Sequence, residues 1–219
     1  GLVGSEMCIR DRAVLAVKSV LVDLNDAAAT LPNSYNSVEN ITPLETPLSS
    51  TINGAALATP VFLSLYAEND LRLDKYFAET DEKGFRKNKK AGSNNYLCTF
   101  RVGEIYLTAA EAAARLGELS QARTRLLELM RKRYAPEAYE AKSVVVNAMD
   151  KEALVQEILD ERARELAFEG HRWFDLRRST RPRLEKVLDG TRYVLEENDA
   201  RYTLAIPKEA IEANPGLLN

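Results

Sequence analysis

Two apolar stripes separated by a single glycine do most to limit what this chain can become. Ile105, Ala109, Ala112 and Leu116 recur at i, i+4, i+7 and i+11, which sets them on one face of an α-helix whose apolar side needs a cover. Gly117 follows at the place where a left-handed residue costs least, so the helix is expected to stop there. Ser120 is placed to cap a second helix, whose stripe runs through Ala122, Leu126 and Met130 until Pro136 marks a break.

With small alanines at its crossing, this pair has the form of a tetratricopeptide-like helical hairpin. Such a unit cannot bury its own apolar face and needs stacked neighbours. A third long helix supplies one: Asp150 caps it, Leu154, Ile158 and Leu166 define its buried side, and the pattern carries it to residue 178. The expected fold is mainly α, with tetratricopeptide-like helical hairpins, long irregular loops and a few short strands.

Upstream, the β-branched run from Ala13 to Asp23 is readable as a strand or as the start of a helix. Residues 25 to 60 are expected to be irregular, because LPNSYNS and TPLETPLSST are turn chemistry. In 61–77, Leu63, Tyr66, Leu71 and Phe77 suit one side of a short helix pair, and 84–95 suits a hairpin or exposed loop. Near the end, TRYVLEENDARYTLAIP reads as two short strands around EENDA, and Pro207 opens a last helical turn.

Charge excludes one class of partner. Acidic side chains outnumber basic ones 33 to 30, so no overall positive field draws in a nucleic acid backbone. The cluster Arg177, Arg178, Arg181 and Arg183 reads as a helix end, where cations complement the dipole. Two cysteines, Cys8 and Cys98, give neither a disulfide framework nor a metal-ligand spacing. No stretch approaches the roughly 20 apolar residues of a membrane-spanning helix. Residues 1–12, GLVGSEMCIRDR, look like a translated sequencing-adaptor scar and are set aside from the fold, which leaves 13–219. Cys8 follows Ser5, Glu6 and Met7 rather than an apolar run, so it is not read as a lipidated cysteine.

The run DERARELAFEGHRWFDLRR at 160–178 carries the candidate chemistry. Glu161, Glu165 and Glu169 fall at i, i+4 and i+8, with Arg162, Arg164 and Arg172 close enough for helical pairing. Paired carboxylates can serve general acid and base catalysis, but interleaved with arginines they read as structural ion pairs, and no catalytic residue is assigned. His171, the single histidine, has Asp175 one turn on; together they leave a metal site short of ligands and read as structural. Phe168, Trp173 and Phe174 could stack sugars, but their helical spacing favours core packing. The candidate for glycan contact is Tyr35, a loop ring flanked by Asn33 and Asn36, whose amides can bond hydroxyls. No cofactor or metal is expected.

In order and spacing, RVGEIYLTAAEAAARLGELSQARTRLLELMRKR, ERARELAFEGHRWFDLRR and LAIPKEAIEANPGLLN resemble the closing region of the SusD/RagB family. LYAENDLRLDKYF resembles the family's Asp-x-Arg segment. The likeness covers about residues 60 to 219 well and 13 to 59 weakly. It implies a helical scaffold of tetratricopeptide-like units, here the C-terminal part of the domain with an N-terminal half missing. It also implies a lipid-anchored, non-enzymatic protein on the outer face of the outer membrane, with an anchor that is not in this chain. Such a protein would capture oligosaccharides or other nutrients for a SusC-like TonB-dependent transporter. The alternative that the hairpin alone supports is an intracellular tetratricopeptide-type protein-interaction scaffold.

Overall fold

The computed structural model describes residues 20–44, 57–90, 98–188, 190–203, 205–214 and 216. The chain divides into two compact units, the first ending at His171 and the second beginning at Arg172. The fold is mainly helical with several short strand pairs, as expected.

In the first unit, helices α1 (Pro60–Leu63) and α2 (Arg72–Tyr76) form the expected short pair. Around them lie Val22, Leu24, Tyr66, Tyr76 and Phe77, a buried cluster with Phe62 and Phe168 packed against it. The rings of Phe62, Tyr66, Phe77 and Phe168 meet edge to face at centroid distances of 5.6–6.4 Å, the arrangement that ring quadrupoles favour. Strands β1 (Asn40–Leu44) and β5 (Cys98–Arg101) pair antiparallel with a bulge at Asn40/Thr42. Strands β2 (Leu57–Ala58), β3 (Phe77–Thr80) and β4 (Arg86–Asn88) form a small sheet in the order β2-β4-β3. Of the segment 84–95, where a hairpin or exposed loop was expected, Arg86–Asn88 form β4, but its partner β3 and the turn between them, where Gly84 N–H meets the Asp81 carbonyl, come earlier in the chain. Residues 13–19, most of TPLETPLSST and 91–95 lie outside the described residues; Val20 to Val22 adopt neither strand nor helix.

Helix α3 (Val102–Leu116) ends at Gly117, whose φ of 85° turns its N–H back to the Ala113 and Ala114 carbonyls. A left-handed residue of this kind closes a helix without a Cβ clash. The buried face differs from the expected stripe. Leu116 is 57% exposed and Ala112 half-buried, while Val102, Ile105, Tyr106, Ala109, Ala110 and Ala113 are buried. Helix α3 packs against both α4 (Leu119–Arg131) and α6 (Lys151–Glu165), so its covered arc is broader and centred away from Leu116. Helix α4 buries Ala122, Leu126, Leu129 and Met130 as its stripe requires, but Ser120 is not its cap. Glu118 takes the cap position without a side-chain capping bond to the helix, and the Ser120 carbonyl accepts the Thr124 hydroxyl at 3.0 Å.

Pro136 opens a helix rather than only ending one. Helix α5 (Pro136–Ala148) begins on it, because the first helical position needs no N–H and suits the fixed φ of proline. Asp150 caps α6 as expected, its carboxylate accepting Ala153 N–H at 2.9 Å. That helix does not run to residue 178. It stops at Glu165, and Phe168 (φ 61°) and Gly170 (φ 86°) turn the backbone out of the helical path.

In the second unit, α7 (Arg172–Arg178) is followed by a hairpin of β6 (Leu184–Leu188) and β7 (Thr191–Leu195). TRYVL is a strand, but its partner precedes it. EENDA leads instead into a short helical turn at Ala200–Tyr202, capped by Asp199, and α8 (Lys208–Ala213) follows Pro207. Trp173 stacks on Tyr202 at 5.2 Å and 13° between planes, whereas Phe174 is 63% exposed and outside any core. The core reading holds for Phe168, which packs against the aromatic cluster of the first unit, and fails for Phe174.

Leu126→Ala, at a fully buried site, is expected to lower the unfolding free energy by about 2–5 kcal/mol. Leu116→Ala should change it by less than about 0.5 kcal/mol. Urea unfolding of the two variants side by side checks which face of α3–α4 is the core.

Candidate functional site

Charged side chains, together with apolar contacts such as Leu21 and Ile41 on the helical core, join the irregular segments of the first unit to its helices. Glu165, the last residue of α6, accepts Arg133 Nε at 2.9 Å, Arg101 Nη1 at 2.5 Å and Arg72 Nη1 at 3.1 Å. One turn earlier, Glu161 accepts Arg72 Nη1 at 2.7 Å, Arg164 Nε at 2.8 Å and the Tyr134 hydroxyl at 3.2 Å. Beyond the helix end, Glu169 binds Arg101 at 2.9 and 3.0 Å and the ammonium of Lys90. Glu39, from the irregular segment before β1, takes Arg133 Nη2 at 2.6 Å and Val22 N–H at 2.9 Å. Asp70 grips Arg72 through two bonds of 2.8 and 2.9 Å.

The carboxylates Glu39, Asp70, Glu161, Glu165 and Glu169 thus face the cations Arg72, Lys90, Arg101, Arg133 and Arg164, all of them buried. The ion-pair reading of the three glutamates holds, but their partners are mostly not the neighbours in sequence. Arg164 is a local partner of Glu161, Arg162 reaches Thr108 on α3 at 3.1 Å, and Arg172 lies past the break. The cations that matter come from remote segments. The flanking residues alone do not mark them: Arg72 sits between Leu71 and Leu73 and Arg101 between Phe100 and Val102, yet Arg115, between Ala114 and Leu116, is exposed.

Burial alone would push the Glu165 carboxyl up, but Arg133, Arg101 and Arg72 together hold it well below the usual carboxylate range. Glu161, raised by burial and lowered by Arg72 and Arg164, comes down to about 2. Burial draws the Lys90 ammonium down to about 8 against the pull of Glu169. Carboxylates held ionised and enclosed by guanidiniums have no proton to give near neutral pH, so these glutamates do not form an acid and base pair.

Tyr35 stands 53% exposed in a loop of consecutive turns, with Ser34 N–H on the Leu31 carbonyl, Ser37 N–H on Ser34 and Asn40 N–H on Ser37. The Asn40 amide donates to the Tyr35 carbonyl at 3.0 Å and to that of Ser34. The ring is therefore presented from a fixed backbone. Of the two flanking amides, Asn36 is exposed but Asn33 is buried, its Nδ2 bound to the Lys90 carbonyl at 2.8 Å. Asn33 serves the scaffold and is not beside the ring for a ligand.

His171 Nδ1 lies 3.8 Å from Glu104 Oε1, and Asp175 is held by Arg178 Nη2 at 2.6 Å. Among the described residues no group of three or more His, Cys, Asp or Glu side chains could hold a metal ion, and no helix is long and apolar enough to cross a membrane. A groove of about 470 Å³ runs beside α3, α4 and α5, lined by Leu21, Tyr106, Leu127, Glu128, Arg131 and Tyr139 among others. Arg125 lies over the Tyr106 ring and Arg131 over the Tyr139 ring, at 5.7 and 5.2 Å. Each tyrosine thus already has a cation on one ring face, which leaves the groove less suited to stacking a sugar than an exposed ring.

Two outcomes follow from the network. A Cβ placed on Gly103 meets Arg101 Nη1 at 2.6 Å, Glu165 Oε1 at 3.0 Å and Glu39 Oε2 at 3.1 Å. Gly103→Ala should cost about 1–3 kcal/mol by crowding, although alanine favours a helix by about 1 kcal/mol; a lowered urea midpoint checks this. Acid is the second lever. In the unfolded chain Glu161 returns to its ordinary 4.5, so between there and about 2 the unfolded state binds a proton that the folded state refuses. Stability is whole above that window and is lost as pH falls through it, by about 3 kcal/mol for this group. Unfolding free energies from pH 6 down to pH 2 should fall, and Glu161→Gln should flatten the fall.

Comparison with curated protein sequences returns no match. Among solved structures, a SusD-like carbohydrate binding protein from Bacteroides vulgatus matches with a TM-score of 0.67 and 17% identity, over 95% of this chain and 54% of that one. A SusD superfamily protein from Bacteroides thetaiotaomicron matches with a TM-score of 0.67 and 20% identity, over 97% and 59%. One from Bacteroides fragilis gives 0.57 and 20%, over 88% and 46%. The chain spans little more than half the length of the first two, and at these identities the likeness shows the fold. The SusD family model matches residues 56–219, three quarters of the chain and every helix among the described residues, including the segment that supplies Arg72, Arg101, Arg133 and the three glutamates. The family is one of binding proteins rather than enzymes, and this chain belongs to the SusD family.

Proposed function

We propose that this chain is part of a cell-surface protein that captures oligosaccharides and hands them to a SusC-like TonB-dependent transporter in the outer membrane, where a lipid anchor would hold it on the outer face. The family match over residues 56–219 carries this reading. The carbohydrate-binding character of the similar Bacteroides vulgatus protein supports it.

Capture without chemistry needs a ring face for the apolar side of a pyranose and polar groups for its hydroxyls. Tyr35 is proposed as one such contact. Its exposed ring rises from a backbone fixed by Asn40, so little conformational freedom is lost on binding. Binding would be reversible, and modest affinity would suffice if a transporter beneath closes on the trapped ligand at high local concentration.

Isothermal titration of the full chain with maltohexaose, xylohexaose and mannohexaose tests the reading; binding of at least one is expected. Tyr35→Ala should weaken that binding roughly 2- to 10-fold without shifting the melting temperature. An unchanged affinity removes Tyr35 from the contact.

A further inference from the structure

The hairpin of the second unit carries a cleft that the contact at Tyr35 does not use. Leu184 pairs with Leu195 and Lys186 with Tyr193 across β6 and β7. Alternate residues of a strand share a face, and directly opposed residues stand about 5 Å apart at Cβ, so these four side chains sit together on one side of the ribbon. On the other side, Glu185 is neutralised by Arg192 at 3.1 Å and by Arg183 at 3.0 Å. Lys186 has no carboxylate partner among the described residues, and Tyr193 is 56% exposed.

A concavity of about 250 Å³ opens here, lined by Leu184, Glu185, Lys186, Tyr193, Leu195 and Arg201 together with Val194. Arg201 is fixed at its wall: Nε and Nη2 bind Asp199 at 2.9 and 2.6 Å, and Nη2 also binds the Val194 carbonyl at 2.9 Å. The cleft therefore combines an exposed aromatic ring, two leucines, one ammonium without a counter-charge, one guanidinium held by Asp199, and Glu185, whose carboxylate alternates to the other face and is already held by Arg183 and Arg192. Its volume falls below the roughly 300–1,000 Å³ of pockets that enclose a drug-sized ligand, which suits one sugar of a chain whose remainder stays in solvent.

We infer that this cleft is a subsite for an acidic sugar, a uronic acid residue that stacks on Tyr193 and places its carboxylate against the Lys186 ammonium. The assignment rests on the glycan-capture reading and adds a ligand class to it. A neutral sugar would use the ring and the leucines but leave the ammonium unanswered. A carboxylate on the stacked ring answers it across the short cross-strand distance, and the Arg201 wall offers donors to hydroxyls.

Titration calorimetry of the full chain with trigalacturonate and with maltotriose tests this. The acidic probe should bind more tightly, and its affinity should fall as added salt shortens the Debye length from about 10 Å to about 3 Å. Lys186→Gln should weaken trigalacturonate about 3-fold and leave maltotriose alone, and Lys186→Arg should restore it. Tyr193→Ala should weaken trigalacturonate roughly 3- to 10-fold. Both positions are on an exposed hairpin, so an unchanged melting temperature confirms that the three variants fold. Trigalacturonate binding that ignores both substitutions, or a preference for maltotriose, overturns the subsite while leaving glycan capture intact. If the unaltered chain binds neither these probes nor the hexaoses, capture falls and the subsite with it.

Discussion

Glu165 closes helix α6 inside a ring of three guanidiniums, and the irregular part of the first unit is organised around that contact. Arg72 arrives from a helix of five residues, Arg101 from the end of β5 and Arg133 from the residues that follow α4. The backbone shares the task, with Leu24 N–H on the Lys132 carbonyl, Leu71 N–H on Arg133 and Ala135 N–H on Asn69. The segment that carries Tyr35 is tied to the same centre through Glu39 and, by way of Asn33, through Lys90.

Burying five carboxylates and five cations costs desolvation that the Coulomb attraction does no more than roughly offset. A wholly apolar centre of the same shape could be as stable. What charge adds is directionality: each carboxylate accepts bonds along its lone-pair directions, and an arginine fork fits only at certain angles. Loops of low intrinsic order thereby acquire a single arrangement, because removing any one partner strands a buried charge. Apolar packing holds the helical pair; the ion network aligns the irregular segments. An exposed ring such as Tyr35 inherits rigidity from this arrangement without belonging to it.

Much of the helical framework was readable in order. Gly117, Asp150 and the Ala122, Leu126 and Met130 stripe acted where they were expected to act, since caps and periodicity depend on a few adjacent residues. Errors arose where a neighbour distant in sequence decided the outcome. The buried arc of α3 shifted away from Leu116 because two helices cover it. The helix expected to reach residue 178 broke near Phe168, whose left-handed backbone is held by rings from Phe62 and Phe77. Pro136 was legible as a stop, while its role as a start depended on what followed.

The sequence by itself determined the helical class, the family and the ionic character of Glu161, Glu165 and Glu169, because each rests on local spacing or motif. Only the tertiary structure decided which cations meet those glutamates, that Asn33 turns inward while Tyr35 stays out, and that Lys186 and Tyr193 share one face of a hairpin. Those pairings join residues from 3 to 93 positions apart, and a one-dimensional pattern does not encode the closure of the chain that brings them together.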